Sequence, residues 1–79
     1  MRIDKYLKVS RIIKRRTVAN QVCDAGKVLV NGKVVRASYD VKIDDVIEIN
    51  FDTRSIKVKV VSVNEVIKKE DAASMYTSV

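Results

Sequence analysis

The sequence predicts one small α+β domain. Two short N-terminal helices lead into a small, twisted, mostly antiparallel sheet, and the chain closes on a short C-terminal helix or tail. Three observations predict this order. Apolar residues recur at helical spacing through residues 3–25, the pattern changes to strict alternation after Gly26, and an Asn-Gly pair stands between two β-branched runs. With 79 residues there is room for one core and no second domain.

In the first element, Ile3, Tyr6, Leu7, Val9, Ile12 and Ile13 share one side of a helix over residues 3–15. Asp4, Lys8, Arg11 and Arg15 fall on the opposite side as a stripe. Ser10 is a candidate break that would leave a short helix and a turn. Asp4 is read as the cap of this helix, with the orienting of a nearby arginine as a second role. Thr17 is read as the cap of the next helix. There Val18, Ala19, Val22, Cys23 and Ala25 face inward, and Gly26 stops the helix. Cys23 on that face reads as a small core residue.

The strands follow. Val28-Leu29-Val30, Asn31-Gly32 and Lys33-Val34-Val35 spell a hairpin with a two-residue turn, whose central positions both need positive φ. Residues 36–45 read as a loop with a short extended piece at Val41–Ile43. Ile47, Ile49 and Phe51 alternate toward one face, as do Ile56, Val58 and Val60 beyond the turn at 52–55. Glu65–Tyr76 has helical propensity but a weak apolar face made of Val66, Ile67, Ala73 and Tyr76. The domain is expected to span 1–63, with 64–79 as the short helix or tail.

Charge is distributed unevenly. Residues 1–36 carry ten basic side chains against Asp4 and Asp24, a net +8, whereas residues 37–79 carry six basic and eight acidic ones, a net −2. Such one-sided clustering is the footprint of a polyanion partner. The chain has no His and one cysteine, which excludes His-based triads, His-liganded zinc and an internal disulfide. No Gly-rich phosphate loop is present, and Asp44-Asp45 reads as a turn pair rather than a catalytic dyad. The expectation is therefore a binding protein, not an enzyme, with no metal and no cofactor. With no long apolar run or signal-type segment, it is expected to be soluble, cytoplasmic and free of membrane contact.

Arg2 and Arg16 each stand beside a predicted helix start, where arginines can grip backbone phosphates bidentately. Lys8, Arg11, Lys14 and Arg15 extend that track, and Thr17 lies at its end. Lys27 and Lys33 flank the hairpin. Asn31 at its tip is a candidate 2′-OH or base contact, although the turn requires it in any case. Strand aromatics for stacking and a long recognition helix are both missing, so the residues point to structured RNA read by shape and phosphate.

The residues that carry these readings also carry a resemblance. Arg2-Ile3-Asp4-Lys5-Tyr6-Leu7, Ser10-Arg11, Arg16-Thr17, Ala19, the run from Gly26 to Gly32, and Val46-Ile47-Glu48-Ile49 resemble the S-four-type RNA-binding domain, also called the alpha-L motif. The resemblance covers roughly residues 1–63. Within that family the chain is similar to the fifteen-kilodalton heat-shock-protein group, and in particular to its short RqcP-like branch, where the likeness extends through Lys68–Tyr76. It implies an RNA-binding factor of ribosome-associated quality control that binds the large ribosomal subunit carrying peptidyl-tRNA. The implied contacts are 23S rRNA and tRNA, and the implied partner is an RqcH-like protein that brings alanyl-tRNA, the two together supporting template-free addition of an alanine tail. Many members have Gly-Asp where this chain has Asp44-Asp45, and an Asp can take the left-handed conformation at modest cost. Two other readings stay open: an S-four-type regulator of another structured RNA, and a basic adaptor for an acidic protein. A monomer is expected.

Overall fold

The computed structural model describes residues 1–64 and 69–79. Helix α1 runs Ile3–Val9 and helix α2 runs Arg16–Asp24. Strands β1 (Val28–Val30), β2 (Lys33–Val34), β3 (Val46–Asn50) and β4 (Ser55–Val60) follow. A 3₁₀ helix at Lys69–Met75 then leads into β5, Tyr76–Ser78. The five strands form one sheet in the order β2-β1-β3-β4-β5, and every pairing is antiparallel.

The register explains the alternation. Val30 lies opposite Ile47 and Ile47 opposite Val58, while Val28 lies opposite Ile49 and Ile49 opposite Ile56. These residues share the face that packs on Ile3, Tyr6 and Leu7 of α1 and on Ala19 and Cys23 of α2. Leu29, Glu48 and Lys57 form a cross-strand row on the other face, which no helix covers among the described residues. Burial of this single apolar cluster is the main force holding helices to sheet.

Two turns behave as their residues dictate. Asn31 (φ 53°) and Gly32 (φ 84°) make the left-handed pair that the hairpin needs. Gly26 (φ 75°) ends α2, with its N–H on the Cys23 carbonyl and the Lys27 N–H on the Val22 carbonyl, a complete Schellman closure.

Four expectations change. The first helix does not reach residue 15; it ends at Ser10, the break that the sequence offers as the alternative. Arg11 takes φ 63° and stands at the position after the cap that glycine usually fills, so the chain turns out of α1 there. The predicted stripe of Asp4, Lys8, Arg11 and Arg15 is therefore not a helix face. Thr17 is not the cap of α2: Arg15 is, without a side-chain bond, and Thr17 sits within the first turn. Val18 is 40% exposed and Ala25 is exposed, because the short helix buries only Ala19 and Cys23 fully. The extended piece at Val41–Ile43 forms no strand; the bridge in that loop is Arg2 with Asp40.

The chain's end, expected as a helix or tail, joins the sheet as β5. The Tyr6 hydroxyl donates 2.8 Å to the Met75 carbonyl, and the Val61 and Ser62 N–H groups donate to the same oxygen. Val66 and Ile67 of the predicted apolar face lie outside the described residues.

Candidate nucleic-acid interface

The basic N-terminal half is organised around one carboxylate. Asp4 is 2% exposed in the first turn of α1. One of its oxygens accepts the Lys5 N–H at 2.8 Å and lies 3.3 Å from Arg2 Nε. The other accepts from Arg2 Nη2 at 3.3 Å and from Asn20 Nδ2 at 3.4 Å, and lies 3.5 Å from Arg16 Nε. Arg2 thus meets Asp4 bidentately, and Arg16 and Asn20 reach it from α2, one helical turn apart. Both guanidinium groups remain about half exposed, so each can still offer N–H donors to an anion.

Electrostatics favour this arrangement. Burial works to raise the Asp4 pKa, but the hydrogen bonds from Asn20, the Lys5 N–H and Arg16, together with the Arg16 charge, bring it below the ordinary value. Asp4 therefore stays ionised at neutral pH and restricts two long side chains that would otherwise roam. Of the two roles that the sequence allows Asp4, the orienting one is what the geometry contains, since Arg2 is the cap of α1 and has no side-chain cap bond.

The two helix starts differ. At α1 the Ile3 and Asp4 N–H groups donate to the Tyr39 and Ala37 carbonyls, and the Lys5 N–H to Asp4, so a phosphate there would meet only the Arg2 side chain. At α2 the N–H groups of Arg16, Thr17 and Val18 have no protein acceptor among the described residues. Nine residues of helix put the positive end of a dipole behind them. Lys14 and Arg15 are exposed in the segment that enters this helix, and Lys8 and Arg11 are exposed at the end of α1 and in the turn after it. The structure thus brings together Arg2, Arg16, Arg15, Lys14 and Thr17 around the entry to α2, with Lys8 and Arg11 beyond.

Lys27, Asn31 and Lys33 are set apart from that group. They follow the far end of α2, roughly 13 Å along its axis from Arg16 at 1.5 Å per residue. Lys27 Nζ pairs with Asp52 at 2.9 Å, which draws the Asp52 pKa down. Lys33 is exposed at the hairpin turn. Asn31 uses its side-chain amide internally: Nδ2 donates to Asp45 at 3.1 Å and Oδ1 accepts the Val46 N–H at 3.1 Å.

Sequence reasoning undervalues three residues. Asp45, which reads locally as a solubilising turn residue, is 8% exposed and accepts from Asn31, the Tyr39 hydroxyl and the Lys42 N–H. Its neighbour Asp44 takes φ 74°, as an Asp in the place of Gly requires. Asp4 has a signal in being one of two acids among ten bases. Asn20 has one in its i+4 spacing from Arg16. Cys23 is buried, and desolvation first, then Asp4 and Asp24, push its thiol up to about 11, which leaves it a core residue. No group of three or more potential metal ligands occurs among the described residues, and no described helix is long and apolar enough to cross a membrane.

Two short helices that present a carboxylate-anchored arginine pair on an antiparallel sheet define the class of domain. The S4 domain family model matches residues 1–47, which span α1, α2, the hairpin and the start of β3. The RQC P-site tRNA stabilizing factor of Streptococcus pneumoniae is 55% identical over 76 residues, covering 96% of this chain and 86% of that protein. That of Bacillus subtilis is 48% identical over 77 residues, covering 98% and 90%. Among solved structures, heat shock protein 15 of Vibrio cholerae, described as trimeric, superposes over the whole chain and 81% of its own with a TM-score of 0.91. At 24% identity that is a likeness of fold alone. The chain belongs to the S4-domain family, and the relatives it matches along nearly their whole length are RQC P-site tRNA stabilizing factors.

Proposed function

We propose that this chain is an RNA-binding factor of ribosome-associated quality control that steadies tRNA on the large ribosomal subunit. The observation that carries the reading is the Asp4-anchored pair Arg2 and Arg16 beside the open N–H groups of α2. A backbone phosphate placed there would meet two charge-assisted guanidinium donors and a helix dipole together. Arg15, Lys14, Thr17, Lys8 and Arg11 lengthen the contact, and Lys27 and Lys33 offer a second one past the far end of α2. Asn31 contributes by holding the hairpin tip on Asp45, with its polar edge available only in part. The relatives' name supplies the setting, a tRNA in the P site during ribosome quality control. The family resemblance adds 23S rRNA contacts on the large subunit and an RqcH-like protein that extends the nascent chain with alanine. The contribution of this chain is positional. Residues 1–63 act as the binding domain and 64–79 complete it, and the protein works as a monomer.

Purification of the tagged protein from its own cells in mild salt, with sequencing of the recovered RNA, tests this. Large-subunit RNA with peptidyl-tRNA and an RqcH-like protein is expected. Recovery of unrelated mRNAs would move the assignment to a regulator of another RNA. Association that survives ribonuclease treatment would indicate a protein adaptor.

A further inference from the structure

We propose that the cleft between the α1–α2 turn and the β4–β5 edge of the sheet receives one unpaired nucleobase of the bound RNA. The inference rests on reading the basic face as an RNA interface and extends that face to a base pocket. The cleft has a volume of about 450 Å³, within the range of small-molecule sites. Ile12 and Ile56 give it an apolar floor and Tyr76 an aromatic ring, all half-buried. Arg11 stands exposed at its rim, with Ser78 beside it; Lys57 also lines it, although its side chain belongs to the row on the other face of the sheet.

Charge chooses the occupant. No carboxylate lines the cleft, and Arg11 has no ion pair among the described residues. A cation at the rim of an apolar and aromatic floor fits a planar ring that carries an anionic phosphate on its sugar. Arg11 follows Lys8 and precedes Lys14, Arg15 and Arg16, so a strand tracking those cations passes the mouth of the cleft. A paired base hides both faces in its stack, whereas an unpaired one can turn out and stack on a side chain.

The walls are held in place before any ligand arrives. Arg11 takes φ 63°, a conformation uncommon for a long side chain, and the Ile13 N–H on the Leu7 carbonyl ties down the turn that follows. Tyr76 pairs with Val60, and the residue before it, Met75, takes the Tyr6 hydroxyl and two N–H groups on one carbonyl. A positive-φ arginine at this turn has a use if it aims a guanidinium at the cleft mouth.

The test uses the full chain and three RNA hairpins with one stem: fully paired, with a single bulged adenosine, and with a bulged abasic ribose. Binding is read by fluorescence anisotropy. The wild-type chain is expected to bind the adenosine bulge about tenfold more tightly than the abasic bulge, as stacking on an aromatic side chain implies. Tyr76→Leu keeps apolar bulk and should erase that preference while leaving the fully paired RNA unaffected; Tyr76→Phe should retain it. Ser78→Leu, at an exposed strand position, blocks the cleft without entering the core and serves if Tyr76→Leu does not fold. Equal wild-type affinity for the two bulges, or a preference that survives both blocking variants, overturns the base pocket. If Arg2→Ala still weakens all three RNAs, the phosphate interface stands without the pocket. If wild-type protein binds none of the three, both readings fall together.

Discussion

Replacing Asp4 by Asn separates the charge of the central carboxylate from its shape. The amide can still accept the Lys5 N–H, the one short contact at 2.8 Å. What disappears is the ionic acceptor for Arg2, Arg16 and Asn20, and an NH₂ group now faces other donors. Those three contacts are long, at 3.3, 3.5 and 3.4 Å, and both arginines are half exposed, so each contributes at the weak end of its range. Removing one partner of a fully buried pair costs about 3–5 kcal/mol; an exposed pair contributes about 0–1 kcal/mol. A buried acceptor with solvent-facing donors lies between, and a loss of about 2 kcal/mol follows. For a domain of this size that is a fall in Tm of roughly 8–16 °C. Urea unfolding followed by far-UV circular dichroism gives the stability, and RNA binding by the folded variant gives the second readout. The arginines lose their common anchor, so affinity should fall even where folding is complete. The sign with pH is fixed as well. Asp4 is held below the ordinary value of 3.8, so its contribution is complete above that pH and disappears as pH falls through the lower folded-state value. The Asn variant should lack that part of the acid loss. Unchanged stability and unchanged RNA affinity would refute the idea that Asp4 preorganises the pair.

Three further outcomes follow from single features. Gly26→Ala should destabilise by about 1–2 kcal/mol, the backbone cost of φ 75° alone, because an added methyl would meet nothing closer than Val34 at 4.0 Å; chemical denaturation reads this directly. Tyr6→Phe leaves the buried Met75 carbonyl without the hydroxyl donor and should cost about 1 kcal/mol, with hydrogen exchange rising first in β5. Cys23 should resist iodoacetamide at pH 8 in the folded protein and react on unfolding, since its thiol is buried and pushed up to about 11; rapid labelling of the native state would contradict the packing.

Features encoded by adjacent residues are legible in the sequence, and features made by distant ones are not. Asn31-Gly32 and Gly26 each specify their own backbone geometry, so the hairpin and the end of α2 follow from two or three letters. Arg11 violates the same rule. Nothing local marks a left-handed arginine, and apolar spacing that continues through Ile13 competes with the break that Ser10 offers, so the end of α1 stays open in the sequence. Tyr76–Ser78 becomes a strand only because β4 offers an edge to pair with, and the Tyr6 hydroxyl, 69 residues from Met75, fixes the residue before it. The basic character of the interface is visible from charge counting alone. Its organisation is not, because Asp4, Arg16 and Asn20 meet only when α1 packs against α2. Asp45 escapes for the same reason: its partners Asn31 and Tyr39 arrive from other segments.

The proposed function makes Arg2 and Arg16 one phosphate-gripping unit that holds this chain on RNA of the large ribosomal subunit. Sucrose-gradient sedimentation of cell extracts containing wild-type, Arg2→Ala or Arg16→Ala protein tests it most directly. Wild-type protein should travel with large subunits that retain peptidyl-tRNA. Each variant, still folded, should lose about 1.5–3 kcal/mol of binding, the range for charge-assisted hydrogen bonds, and shift to the top of the gradient as salt is raised. Variants that co-sediment with large subunits as fully as wild type would overturn the phosphate-gripping pair.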